Sequence, residues 1–71
     1  MFRRQHPGLN RQVLVSLFSG NAVSGVLVST PGPLMILRGC TIHDVDALAP
    51  SPADGEIVIE KANVDYIQVV S

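Results

Sequence analysis

Residues 13–37 read VLVSLFSGNAVSGVLVSTPGPLMIL, and this stretch decides the fold. It holds one apolar run, a turn at Ser19-Gly20-Asn21, a second run with Gly25 in its middle, a Pro/Gly break from Thr30 to Pro33, and a third run. Closely spaced apolar runs divided by turn residues predict consecutive antiparallel strands, and a glycine inside a strand marks a bend. Strands are therefore expected at 12–18, 22–29 and 34–42, the third long enough to bend at Gly39. On the first, Val13, Val15 and Leu17 share one face and Leu14, Ser16 and Phe18 the other. Both faces are largely apolar, as in a strand covered on both sides.

Toward the C-terminus, residues 43–55 (HDVDALAPSPADG) are rich in Pro, Asp and Ala and read as an exposed loop or long hairpin tip. A fourth strand is expected at 56–61, where Ile57 and Ile59 alternate with Val58 and Glu60. Ala62-Asn63 makes a very short connection to a fifth strand at 64–70. The predicted class is all-β: a small, five-stranded, strongly bent antiparallel barrel, partly open. Toward the N-terminus, residues 1–11 lack sheet periodicity and contain Pro7-Gly8, so they are expected to form an arm, with a single helical turn around 9–12. Residues 12–71 are assigned to the barrel, with 43–55 as its variable loop.

The composition supports this class. The chain has 71 residues, 46% of them hydrophobic but only three aromatic (Phe2, Phe18 and Tyr66), so its core must come from Val, Ile and Leu, which favour strands. A domain of this size buries only about 60% of the surface its unfolded chain exposes, so its stability as a monomer is marginal. The single cysteine, Cys40, rules out an internal disulfide and reads as a small buried apolar residue. No apolar run approaches the ~20 residues of a membrane-spanning helix. The short run after Arg3-Arg4 fits a signal peptide poorly, so a soluble protein, cytoplasmic when synthesised, is expected.

Charge is unevenly spread. Residues 1–43 hold Arg3, Arg4, Arg11 and Arg38 with no acid, a charge of +4, whereas residues 44–71 hold six acids against Lys61, a charge of −5. If that asymmetry survives folding, it favours contacts between copies. Strand edges point the same way. The fourth and fifth strands are apolar and carry little charge or proline, so as free edges they would be aggregation-prone, and pairing them between subunits removes that hazard. A ring or larger homo-oligomer is expected, with Ile57, Val58, Ile59, Tyr66, Ile67 and Val69 at the interface.

With these elements in place, the sequence resembles the Sm-like (LSm/Hfq) superfamily of small barrels, related in shape to SH3-like barrels. The first motif of that superfamily is met by Val13, Val15, Leu17, Gly20, Gly25-Val26-Leu27 and residues 34–37. The second is met by Ile57-Val58-Ile59, then Asn63-Val64 and Tyr66-Ile67. The resemblance implies RNA binding through an Asp and an Asn between strands two and three, and through an Arg-Gly pair before the Asn-Val. In this chain the first two positions fall near Pro31 and Met35, and the pair is Glu60-Lys61. A carboxylate beside a phosphate site opposes binding, and the polar groups that read an unstacked base are absent. The scaffold is retained without the RNA determinants.

The remaining candidates are few. Arg3, Arg4, Arg11 and Arg38 form either a phosphate patch or, preferably, surface charges that meet acidic residues of neighbouring copies. Phe2, Arg3 and Arg4 are assigned to arm contacts with a partner, while Lys61 and Arg38 are kept as possible nucleic-acid contacts. His43, Asp44 and Asp46 make too few ligands for a metal site. No Gly-x-Ser-x-Gly motif, phosphate-binding loop or zinc spacing is present, so no catalytic residue, cofactor or enzyme activity is assigned. The expected function is structural: an oligomer that meets a larger protein partner. Sm-like domains without RNA determinants occur among bacteriophage proteins, so the resemblance extends to a virion component that decorates a capsid or joins head to tail. A ring that binds nucleic acid in a non-standard way is the alternative.

Overall fold

A computed structural model describes residues 7–70. Its strands are β1 (Gln12–Leu17), β2 (Ala22–Ser29), β3 (Leu34–His43), β4 (Ser51–Glu60) and β5 (Val64–Val69), with a 3₁₀ turn, Lys61–Asn63, between the last two. They form one antiparallel sheet in the order β4-β3-β2-β1-β5. The all-β, bent five-stranded class expected from the sequence is the class observed.

Strands β2, β3 and β4 all break register along one line. The β2–β3 ladder shifts between Ser24 and Val26, and the β3–β4 ladder shifts between Arg38 and Cys40. Gly25 lies on this line, close enough to β3 that an added Cβ would sit 3.0 Å from the Arg38 carbonyl oxygen and 3.1 Å from Cys40 Sγ. Gly39 and Gly55 lie on it with φ of +64° and +79°, a left-handed conformation that costs other residues about 1–2 kcal/mol. Glycine at these positions turns the corner in all three strands, and the two halves of the sheet fold over each other.

What they enclose is small and almost wholly aliphatic. Val13 and Val15 from β1, Val23 and Leu27 from β2, Met35, Leu37 and Cys40 from β3 and Ile59 from β4 form the core, each at most 7% exposed. No polar or charged residue is buried among the described residues. Cys40, 3% exposed, is the small buried apolar residue expected of it, and burial raises its thiol pKa above the ordinary 9.0.

Three sequence expectations need correction. Residues 51–55, expected in the loop, belong to β4, which pairs Ser51, Pro52 and Ala53 with Ile42, Thr41 and Cys40. Proline and glycine suggested a loop there, but β4 is an edge strand, where a proline removes no ladder bond on its open side, and Gly55 is its bend residue. The loop between β3 and β4 therefore runs only over 44–50. The helical turn expected at 9–12 is instead a β-turn over 8–11, closed by Arg11 N–H donating to Gly8 O at 3.0 Å, with Asn10 at φ +62°. Asparagine tolerates that conformation better than most residues and so ends the turn without helix. Finally, Phe18 lies in the turn after β1 and not in the strand.

Candidate assembly interface

Two strands end the sheet. Beyond β4 on one side and β5 on the other, the strand order has no further hydrogen-bonded neighbour among the described residues. Facing residues of an antiparallel pair share one side of the sheet, so the register assigns each edge side chain. Ile59 opposes Met35 and Ile57 opposes Leu37, both inward. Val58 opposes Ile36 and points outward, 57% exposed. On β5, Ile67 opposes the buried Val15, whereas Tyr66 opposes Ser16 and is 58% exposed.

The six residues expected at an oligomer interface thus divide. Val58, Tyr66 and Val69 present exposed apolar surface, with Val70 beside them at 51%. Ile57 and Ile67 pack against the protomer's own core, and Ile59 is part of it. The side chain of Ile59 is therefore not available to a partner, and it could contribute to an edge only through its backbone.

A hollow of ≈ 430 Å³ is lined by Leu17, Asn21, Val23 and Ile42, by residues 57–60 of β4, and by Asn63. The chain around its mouth is tied down by main-chain bonds: Phe18 N–H donates to Asn63 O at 3.0 Å, and Leu17 N–H to Asn21 O at 2.9 Å. Asn21 in turn accepts at Oδ1 from Val45 N–H at 3.3 Å, which brings the 44–50 loop to the same end of the molecule. Phe18, Val45 and Leu48 are all exposed there, at 70%, 69% and 107%. Sequence reading missed these three because Phe18 was expected in the strand and the other two sit among aspartates and prolines.

No family model and no curated protein matches the chain. Its structure does have a match: the heptameric archaeal Sm protein superposes with a TM-score of 0.74 over 90% of this chain and 91% of that one, at 23% identity. The fold is Sm-like.

Within the Sm-like fold, the residues expected near a nucleotide pocket take other roles. Met35 is a core residue, 2% exposed. Pro31 is exposed and its carbonyl accepts from Leu34 N–H at 3.0 Å, closing the turn between β2 and β3. Lys61 does not stand free: its Nζ donates to Gly32 O at 2.6 Å and its backbone N–H to Pro33 O at 2.8 Å. The β2–β3 turn and the 3₁₀ turn are thus clasped to each other through one residue. Arg38 pairs with Glu56 across the β3–β4 ladder, Nη2 to Oε2 at 2.7 Å, so part of the sequence's charge asymmetry cancels within the protomer.

His43 Nε2 lies 3.2 Å from Ser24 Oγ, and among the described residues no group of three or more His, Cys, Asp or Glu could hold a metal ion. Phe2, Arg3 and Arg4 lie outside the described residues.

Proposed function

We propose that this protein is a non-enzymatic assembly protein whose copies pair the β4 edge of one with the β5 edge of the next, closing a ring or building a larger oligomer. The observation that carries this reading is the pair of open sheet edges with outward Val58 on one and outward Tyr66 on the other. Unpaired backbone groups flanked by apolar side chains form a template for another strand. The eight core residues among the described residues make a small core, and pairing between copies supplies burial that a lone copy lacks. The likeness in fold to a heptameric archaeal Sm protein supports the same reading.

The reading extends to a virion component, a capsid-decorating or head-to-tail joining protein that meets a larger structural partner. Its support is the resemblance stated from the sequence, with Glu60 in place of an arginine, together with the roles taken by Pro31, Met35 and Lys61. Mass spectrometry of purified particles tests that extension.

Light-scattering mass on a size-exclusion column, with the 260/280 absorbance ratio of the same peak, tests the assembly reading. A discrete oligomer free of nucleic acid is expected. A well-folded monomer at micromolar concentration overturns the edge-pairing reading, and an oligomer that carries nucleic acid replaces it with a nucleic-acid-binding ring.

A further inference from the structure

The sequence holds six glycines, and the residues before them are Pro7, Ser19, Ser24, Pro31, Arg38 and Asp54. Only Asp54-Gly55 joins a side-chain carboxyl to a following amide that no Cβ shields. Such a pair favours attack of the amide nitrogen on the carboxyl, because the ring it closes is small and unstrained and glycine lets the backbone turn toward it.

The fold places this pair where a regular strand would not hold it. The β3–β4 ladder pairs Arg38 with Glu56 and then Cys40 with Ala53, so Asp54 and Gly55 have only Gly39 across from them and no partner in register. Two residues against one make a bulge, where the strand bends and the ladder is interrupted. Both are exposed, Gly55 is at φ +79°, and an added Cβ at Gly39 or Gly55 would meet nothing within 4 Å. On its other side β4 has no hydrogen-bonded neighbour among the described residues. Nearby carboxylates are held: Asp44 Oδ1 accepts from Asp46 N–H at 2.9 Å, and Glu56 pairs with Arg38. The Asp54 carboxyl has no such bond among the described residues.

We propose that Asp54-Gly55 is a site of spontaneous isoaspartate formation that remodels the β4 corner. The Gly55 nitrogen attacks Cγ of the protonated Asp54 carboxyl. The new C–N bond forms as a C–O bond breaks, and the hydroxyl leaves as water with the amide proton. Water then opens the succinimide ring at either carbonyl. Opening at the main-chain carbonyl leaves the chain running through Cβ and Cγ, one atom longer, with the former main-chain carbonyl as a free carboxylate. That extra atom falls where β3 and β4 turn together. Residues 51–53 then lose their register on 40–42, while 57–60, paired with 34–37, keep theirs. The proposal goes beyond the assembly reading and does not need it, since the lesion forms within one chain.

The test ages the full-length protein in warm, mildly acidic buffer, folded and in urea, and maps each aspartate by electron-transfer fragmentation, which separates the isoaspartyl linkage from the normal one. In the folded protein isoaspartate is expected at Asp54 and not at Asp44, Asp46 or Asp65, which precede residues with a Cβ. Its rate is expected within roughly tenfold of the rate in urea, since the bulge opens without global unfolding. Asp54→Glu, which would have to close a larger and slower-forming ring, is expected to stay unmodified. Asp54→Asn is expected to deamidate faster at 54 than at Asn10, Asn21 or Asn63. The isoaspartyl protein, once purified, is expected to exchange amide hydrogens faster across 40–42 and 51–53 and unchanged across 57–60. Isoaspartate that forms only in urea, or equally at every aspartate of the folded protein, overturns the site. Unchanged exchange at 51–53 overturns the remodelling.

Discussion

Gly25 and Cys40 are packed so closely that a single methyl group at position 25 would sit 3.1 Å from the Cys40 sulfur and 3.0 Å from the Arg38 carbonyl. That contact holds the inner sides of β2 and β3 together where both turn the corner. Gly25→Ala is therefore expected to destabilise the fold by about 1–3 kcal/mol, the usual cost of overpacking. In the Gly25→Ala/Cys40→Ala double variant the sulfur contact is gone and the carbonyl contact stays, so the combined loss should be smaller than the sum of the single losses. Urea unfolding of all four proteins gives the coupling energy; strict additivity would count against the contact.

At Gly39 and Gly55 nothing lies within 4 Å of an added Cβ, so space is not the constraint and backbone conformation is. Each Gly→Ala change is expected to cost about 1–2 kcal/mol, and Gly→Asn less, because asparagine enters the left-handed region more readily. Thermal melts of the alanine and asparagine variants at each position check the order.

Leu27 is fully buried among the core residues. Leu27→Ala removes its methyl groups and leaves a cavity, at about 2–5 kcal/mol. In a domain with so small a core that is enough to unfold much of the population, readable as loss of strand signal in far-ultraviolet circular dichroism. Val58→Lys, outward on the β4 edge, is expected to change protomer stability by no more than about 0.5 kcal/mol while lowering the oligomer mass.

Arg38 and Glu56 are paired at 2.7 Å, with side chains 67% and 45% exposed. Water and salt screen such a pair, so a double-mutant cycle with Arg38→Ala and Glu56→Ala should give a coupling below about 1 kcal/mol that shrinks further in 1 M salt. A larger value would mean that the pair is shielded, as it would be beneath a neighbouring copy.

Burial raises the Cys40 thiol pKa above the ordinary 9.0. The thiolate is disfavoured in the folded state, so the linked stability is present below pH 9.0 and is lost as the pH rises through the folded-state value. Urea midpoints should fall as the pH rises from 9.0 toward the folded-state value in the native protein and fall less in Cys40→Ala. At pH 8 a thiol reagent should modify Cys40 slowly until denaturant is added.

Much of this architecture was legible in the residues. The apolar runs in 13–37, the turn at Ser19-Gly20-Asn21 and glycines 25 and 39 specify strands, their order and their bends, because period-two burial and the freedom of glycine are local properties. Residues 51–55 were not legible, since Pro52 and Gly55 mean a loop in isolation and an edge strand only beside β3. The site divides in the same way. That β4 and β5 are apolar could be read directly from the sequence. That Val58 and Tyr66 face outward while Ile59 enters the core depends on register, which pairing across the corner decides. Residues 17, 21, 42 and 57–60 are spread over four segments of the chain, and only closure of the bent sheet brings them around one hollow. Lys61 reads in the sequence as a possible nucleic-acid contact, and its partner, the Gly32 carbonyl, lies on a turn 29 residues away in the chain. Local pattern determined the strands, whereas contacts between distant segments, which no window of sequence contains, decided what their edges expose.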